Sequence, residues 1–249
     1  MSPDSFEVSV PDDVDPGGTL FVGLTNPGMA GITAVDYLVQ HRPSEEIGHI
    51  SPSELPAITP FEDGTPRHHT RLYDLIDIDA SVLVCELFVP APVARSFVDS
   101  LTEWVASNRI DELVLLHGVP FPHGPEDHET FYIASERYRS NRLDGHEIQP
   151  LKGGFLDGVA GELVARDVGG TMPPVGVYVT PTHPPGPDID AAFRFLDAIE
   201  RIYDVDVDRA ELERRAEEIR QHYANLAERM ATFEAESTVR EYPEDRMFM

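Results

Sequence analysis

The sequence predicts one α/β domain built on a largely parallel sheet, and three observations predict it. Short apolar runs recur along the chain, most of them closed by Pro or Gly. Segments of helical periodicity separate these runs, the alternation that βαβ crossovers require. No stretch rich in Gly, Ser or Pro cuts the 249 residues into comparable halves, and no internal repeat is present.

Thr19 to Leu24 (TLFVGL) reads as a buried strand, broken at Thr25-Asn26-Pro27-Gly28. A helix is expected from Met29 to Val39, with Ile32, Val35 and Leu38-Val39 on one face. The proline-rich stretch from Pro52 to Pro66 reads as irregular or edge structure, and Arg71 to Ile76 as a strand. Ser81 to Leu87 (SVLVCEL) is a second buried strand, ended by Pro90 and Pro92. The helix after it, Val93 to Ser107, puts Phe97, Leu101, Trp104 and Val105 on its apolar side. Glu112 to His117 is a third strand, Leu156 to Val168 a helix, and Pro174 to Thr180 a fourth strand.

Two helices are expected to follow. Asp188 is placed to cap the first, along which Ile189, Ala192, Phe193, Leu196, Ile199 and Tyr203 recur at helical spacing. Asp208 and Glu211 resemble a capping box for the second, spanning 208–235. On it Leu212, Ala216, Ile219, Tyr223, Leu226, Met230 and Phe233 step alternately by four and three. That 3.5-residue repeat is the seam of helix-on-helix packing, made either with the chain's own domain or with another subunit. The organisation expected is a domain over 1–235 and a flexible tail over 236–249.

Charge is the most unusual compositional feature, with 45 acidic residues against 19 basic ones and a formal net charge of −26. Lys152 is the sole lysine. Such self-repulsion is relieved in molar salt, where the Debye length falls to about 3 Å. Because the acids run along the whole chain, they read as halophilic solvation rather than a patch for a basic partner. A surface this acidic argues against nucleic acid as a partner. No segment reaches the roughly 18 apolar residues of a membrane span. The acidic N-terminus resembles neither a secretory signal nor a transit peptide, and the one cysteine, Cys85, has no disulfide partner in the chain. A cytoplasmic location is expected.

The loops at the carboxyl ends of the strands, where ligands meet parallel sheets, carry Glu86, His117 and His183. These three define the alternative reading, an acid–base site for a small molecule, against turn and capping roles for each. No nucleophile elbow, phosphate-binding GxxxxGK[ST] or GxGxxG occurs. Of the ten histidines, His68-His69 and the series His117, His123, His128 show no metal-ligand spacing, so neither metal nor cofactor is expected. Lys152-Gly153-Gly154 reads as a turn.

The last three residues, Met247-Phe248-Met249, are apolar at the end of an acidic chain. They either fold back or enter a partner's pocket, an aromatic ring and a free carboxylate being suited to C-terminal capture.

In order along the chain, five segments resemble the proteasome assembly chaperone family in its archaeal and bacterial branch. They are Thr25-Asn26-Pro27-Gly28-Met29-Ala30-Gly31, Leu87-Phe88-Val89-Pro90-Ala91-Pro92, Gly118-Val119-Pro120, Gly153-Gly154-Phe155-Leu156-Asp157-Gly158, and Thr182 to Asp188. The resemblance runs from about Leu20 to about Phe233. It implies a three-layer α/β fold related to nucleoside phosphorylases, no catalysis, homo-oligomers, and binding to proteasome core α-subunits. Family members that engage the proteasome often end in a hydrophobic residue, Tyr and any residue. Here Phe248 stands at the Tyr position, a loss of one hydrogen bond worth about 0.5–1.5 kcal/mol net.

Overall fold

The computed structural model describes residues 6–208, except 54, 56, 57, 122, 125, 126 and 184–186, together with 210, 213 and 214. Four apolar strands form the centre of the sheet: β2 (Thr19–Leu24), β7 (Ala80–Cys85), β8 (Glu112–Val119) and β11 (Val175–Pro181). Nearly every residue in them is buried, so neither face can tolerate the polar alternation of a solvated strand. They run parallel, β7 beside β2, β2 beside β8 and β8 beside β11.

The sheet is wider and more mixed than the sequence predicts. Among the described residues nine strands run in the order β1-β3-β6-β7-β2-β8-β11-β9-β10, with β1 (Phe6–Ser9), β3 (Ser44–Pro52), β6 (Thr70–Leu75), β9 (Phe131–Ala134) and β10 (Gln149–Pro150) outside the parallel centre. The pairings β1/β3, β3/β6, β6/β7 and β9/β11 are antiparallel. Among its described residues, the proline-rich stretch after β3 holds the short hairpin of β4 (Phe61–Glu62) and β5 (Thr65–Pro66).

Helices cover both faces, which gives three layers. α1 (Ala30–His41) and α5 (Ile189–Tyr203) lie on one side, over Phe21, Val82, Val84, Val114, Leu116 and Tyr178. α2 (Ala91–Ser107) and α4 (Gly158–Val168) cover the other, over Leu20, Val22, Leu83, Leu113, Leu115 and Val177. Successive residues of β2 thus feed opposite cores, as the two-residue period of a strand demands. The expected apolar face of α2 is the buried one: Phe97, Leu101, Val105 and the single tryptophan, Trp104, all lie inside. A short turn of helix, α3 (Glu136–Tyr138), continues into a π-helical turn at Arg139–Leu143.

Asp188 caps α5 as expected. Its Oδ1 accepts the Ala191 backbone N–H at 2.9 Å, an interaction of about 0.5–2 kcal/mol. Asp208 Oδ1 likewise accepts the Ala210 N–H at 3.1 Å, and Tyr37 donates its hydroxyl to the Asp208 carbonyl. Leu212, Ile219, Tyr223, Leu226, Met230 and Phe233, the expected seam, lie outside the described residues.

Candidate functional site

From β2 the chain crosses through α1 to β3, steps back through β6 to β7 on one side of β2, and then crosses through α2 to β8 on the other, so β2 and β8 flank a topological switch point. The carboxyl ends beside such a point are where open α/β sheets place ligands. Here that end is built from three turns. Asn26-Pro27-Gly28-Met29 leaves β2 with Gly28 and Met29 both left-handed, at φ 76° and 53°. For the buried Met29 this backbone is costly, and the turn is held by its N–H on the Asn26 carbonyl at 2.8 Å. Gly118 sits near the end of β8, and Thr182 follows β11.

Thr182 fills the space between the turns. A Cβ on Gly28 would lie 2.5 Å from Thr182 Cβ, and one on Gly118 would lie 2.6 Å from Thr182 Cγ2. Glycine is therefore required at both positions by close packing. The Thr182 hydroxyl donates to the Pro27 carbonyl at 3.1 Å, and its backbone N–H donates to Val119 at 3.0 Å. The Asp188 N–H reaches the Gly28 carbonyl at 2.7 Å.

His117 points into this region and is tied to Asn26, whose Nδ2 donates to His117 Nδ1 at 3.1 Å. Burial pushes the imidazole pKa below its ordinary value, with the nearby Asp157 carboxylate acting in the opposite sense. Asp157 belongs to the turn before α4, so the Gly153–Gly158 segment borders the same end of the sheet. The five sequence segments quoted above thus lie together at the carboxyl edge, although Pro184–Gly186 fall outside the described residues.

Glu86, His117 and His183 are held by three separate sets of partners. Glu86 follows β7, two strand spacings, or about 10 Å, from β8. Its carboxylate is shared by Arg71 at 2.9 Å and Arg67 at 3.1 Å. His183 donates from Nδ1 to Asp188 Oδ2 at 2.8 Å. Burial alone would raise the Asp188 pKa, but the hydrogen bonds from Ala191 and His183 outweigh it and hold the carboxyl below its usual range.

The structure groups the histidines differently from the sequence reading. His123, His128 and His183 come together, while His117 stays with Asn26. His68 stacks on His49 with ring centres 3.4 Å apart, and burial lowers the pKa of His69. A groove of about 620 Å³ lies between β1 and α2, away from the strand ends and lined in part by Phe6, Ser100, Glu103 and Trp104. The expected partner-binding residues Met247, Phe248 and Met249 lie outside the described residues. Among the described residues no helix is long and apolar enough to cross a membrane.

A mixed nine-stranded sheet, covered on both faces and closed at its switch point by glycine and proline turns, defines a class of three-layer α/β protein. The chain belongs to the PAC2 family, whose model matches residues 20–227. No curated relative matches it. Among solved structures it is similar to Pyrococcus furiosus PbaA, described as an archaeal homolog of proteasome-assembly chaperone, with TM-score 0.79 and 18% identity over 92% of this chain and 99% of that one. It is also similar to P. furiosus PbaB, described as an archaeal proteasome activator, with TM-score 0.66 and 18% identity over 87% and 96%. A proteasome-assembly chaperone homologue of Mycobacterium tuberculosis matches with TM-score 0.58 and 19% identity, over 83% and 94%. At these identities the likeness is one of fold.

Proposed function

We propose that this chain is a non-catalytic, proteasome assembly chaperone-like protein that works in the cytoplasm as a homo-oligomer. It docks on proteasome core α-subunits through Met247-Phe248-Met249. The observation that carries this reading is the likeness of fold to PbaA over 92% of this chain, PbaA being described as a homolog of proteasome-assembly chaperone. A second support is the terminal tripeptide, an aromatic ring beside a free carboxylate on an otherwise acidic chain. In this organisation residues 1–235 form the body and 236–249 the tail. The repeat from Leu212 to Phe233 joins subunits, so that several tails are presented together and bind with avidity.

The strand ends support a binding role over chemistry. Glu86 is engaged by two guanidinium groups, and Thr182 packs against the turns at Gly28 and Gly118. Phe155, fully exposed on the turn before α4, adds an apolar contact at the same edge.

The decisive experiment is co-purification with proteasome α-rings in molar salt, using the full chain and a variant lacking Met247 to Met249. The full chain is expected to bind and the truncated one to be lost. Equal recovery of both overturns tail docking. Light scattering of an Ile219→Asp/Leu226→Asp variant checks the seam, and an unaltered particle mass removes it as the subunit interface.

A further inference from the structure

The geometry points to a metal site: His123, His128 and His183 form a three-imidazole site for a divalent first-row transition ion of the Zn²⁺ type, joining the loops that follow β8 and β11. This goes beyond the docking role and does not depend on it. One ligand nitrogen from each histidine lies within 4.8 Å of the other two. His123 is half-buried, and His128 and His183 are exposed, so an ion can enter from solvent.

Outer partners orient two of the three rings. His123 Nδ1 lies 2.6 Å from the Phe121 carbonyl, which can only accept, so Nδ1 carries the proton and Nε2 keeps its lone pair. His183 Nδ1 lies 2.8 Å from Asp188 Oδ2, which again leaves Nε2 for a metal. A histidine whose second nitrogen donates to a carbonyl or carboxylate is the arrangement found around bound zinc. Asp188 itself stays outside the coordination shell, since Oδ1 accepts from Ala191 and Oδ2 also accepts the His183 backbone N–H at 2.9 Å.

The backbone holds the rings in place. Asp127 accepts the Gly124 N–H at 3.0 Å and donates its own N–H to the Gly124 carbonyl, so the neighbours of His123 and His128 are tied to each other. Thr180 donates its hydroxyl to the Glu129 carbonyl, and Arg194 donates to both Thr180 Oγ1 and the Pro181 carbonyl at 2.7 Å.

His123 Nε2 and His128 Nε2 stand 2.8 Å apart as a hydrogen-bonded pair. Tetrahedral zinc, with Zn–N near 2.0–2.1 Å, separates its nitrogens by about 3.3 Å. Binding therefore needs the exposed His128 ring to swing out by about half an ångström and to move its proton to Nδ1. Three imidazoles leave a fourth position to water or to a donor from another molecule. Imidazole nitrogen favours Zn²⁺, Co²⁺ or Ni²⁺ over the hard, oxygen-seeking Mg²⁺ and Ca²⁺.

The test is titration of the full chain with Co²⁺, read by visible d–d absorption, followed by displacement with Zn²⁺. One equivalent is expected to give the intense bands of four- or five-coordinate nitrogen ligation and to be displaced by one equivalent of Zn²⁺. Excess Mg²⁺ should not displace it. His128→Gln and His183→Gln should each weaken binding by more than the roughly 10- to 100-fold expected for loss of an outer partner. Asp188→Asn, which still caps α5, should fall within that smaller range. His68→Gln, outside the cluster, should bind like the parent. The proposal is overturned if the parent shows no such spectrum, or if His128→Gln binds Co²⁺ as tightly as the parent. Circular dichroism melts of each variant separate ligand loss from unfolding.

Discussion

Arg71 and Glu86 form a buried ion pair, with Nη1 to Oε2 at 2.9 Å and the two side chains 1% and 4% exposed. Burial alone would pull the guanidinium pKa down, but the Glu86 carboxylate more than offsets it and holds the group above its ordinary value. The Arg71 fork is also spent on the His68 carbonyl and the Tyr73 hydroxyl, at 2.7 and 2.8 Å. Removing one partner of such a pair strands a charge in the interior, whereas replacing both with apolar groups of similar size does not.

Glu86→Gln is therefore expected to lower the unfolding free energy by about 3–5 kcal/mol. The double variant Arg71→Met/Glu86→Leu should recover part of that loss, because Arg67, the second guanidinium on Glu86, keeps its Glu62 partner at 2.5 Å. Denaturant unfolding measures both. An unchanged midpoint in Glu86→Gln would mean that the pair carries no structural weight, and would reopen a role for Glu86 in chemistry.

His117 sets a pH dependence. Its folded pKa lies below the ordinary 6.5 because the buried ring resists charging. Between the two values the unfolded chain holds more protons, so stability is retained above 6.5 and lost as pH falls from there to the folded pKa. One such group contributes at most about 1.4 kcal/mol per pH unit. Relative to His117→Gln, the parent should lose stability as the pH is lowered through that window, and carboxylates common to both chains cancel in the comparison. Parallel stability profiles would count against a buried neutral His117.

Packing at Thr182 yields a prediction with an internal rescue. Gly118→Ala drives a methyl against Thr182 Cγ2, and overpacking of this kind costs about 1–3 kcal/mol. Thr182→Ser removes Cγ2 but keeps the hydroxyl on Pro27, so it should relieve Gly118→Ala. It should not relieve Gly28→Ala, which meets Thr182 Cβ on a left-handed backbone. Thermal melts of the three single and two double variants decide it, and equal rescue of both glycines would contradict this packing.

The central strands and the helices over them were legible because each shows one strong pattern. β2 and β8 are apolar almost throughout, and α2 repeats Phe97, Leu101, Trp104 and Val105 at helical spacing. β3 was not legible: Glu45, Glu46, Gly48 and His49 interrupt it, because a strand outside the parallel centre can leave polar groups to solvent. β9 and β10 are too short to stand out, with four and two residues. Asp188 was readable as a cap from its place before the periodic run of α5. The histidine cluster was not, since His183 joins His123 and His128 only through the pairing of β11 with β8. Spacing along the chain carries no trace of such a contact. The closure at Thr182 was hidden for the same reason, its glycines reading as turns alone.

Trp104 makes one layer of the molecule optically distinct. As the only tryptophan, buried among the side chains of α2 and its neighbours, it senses one helical face of the sheet and not the α1–α5 face across it. Its emission on refolding therefore times the arrival of a single layer. A lag between that signal and the far-ultraviolet dichroism of the whole chain would reveal that the two faces are laid down in sequence.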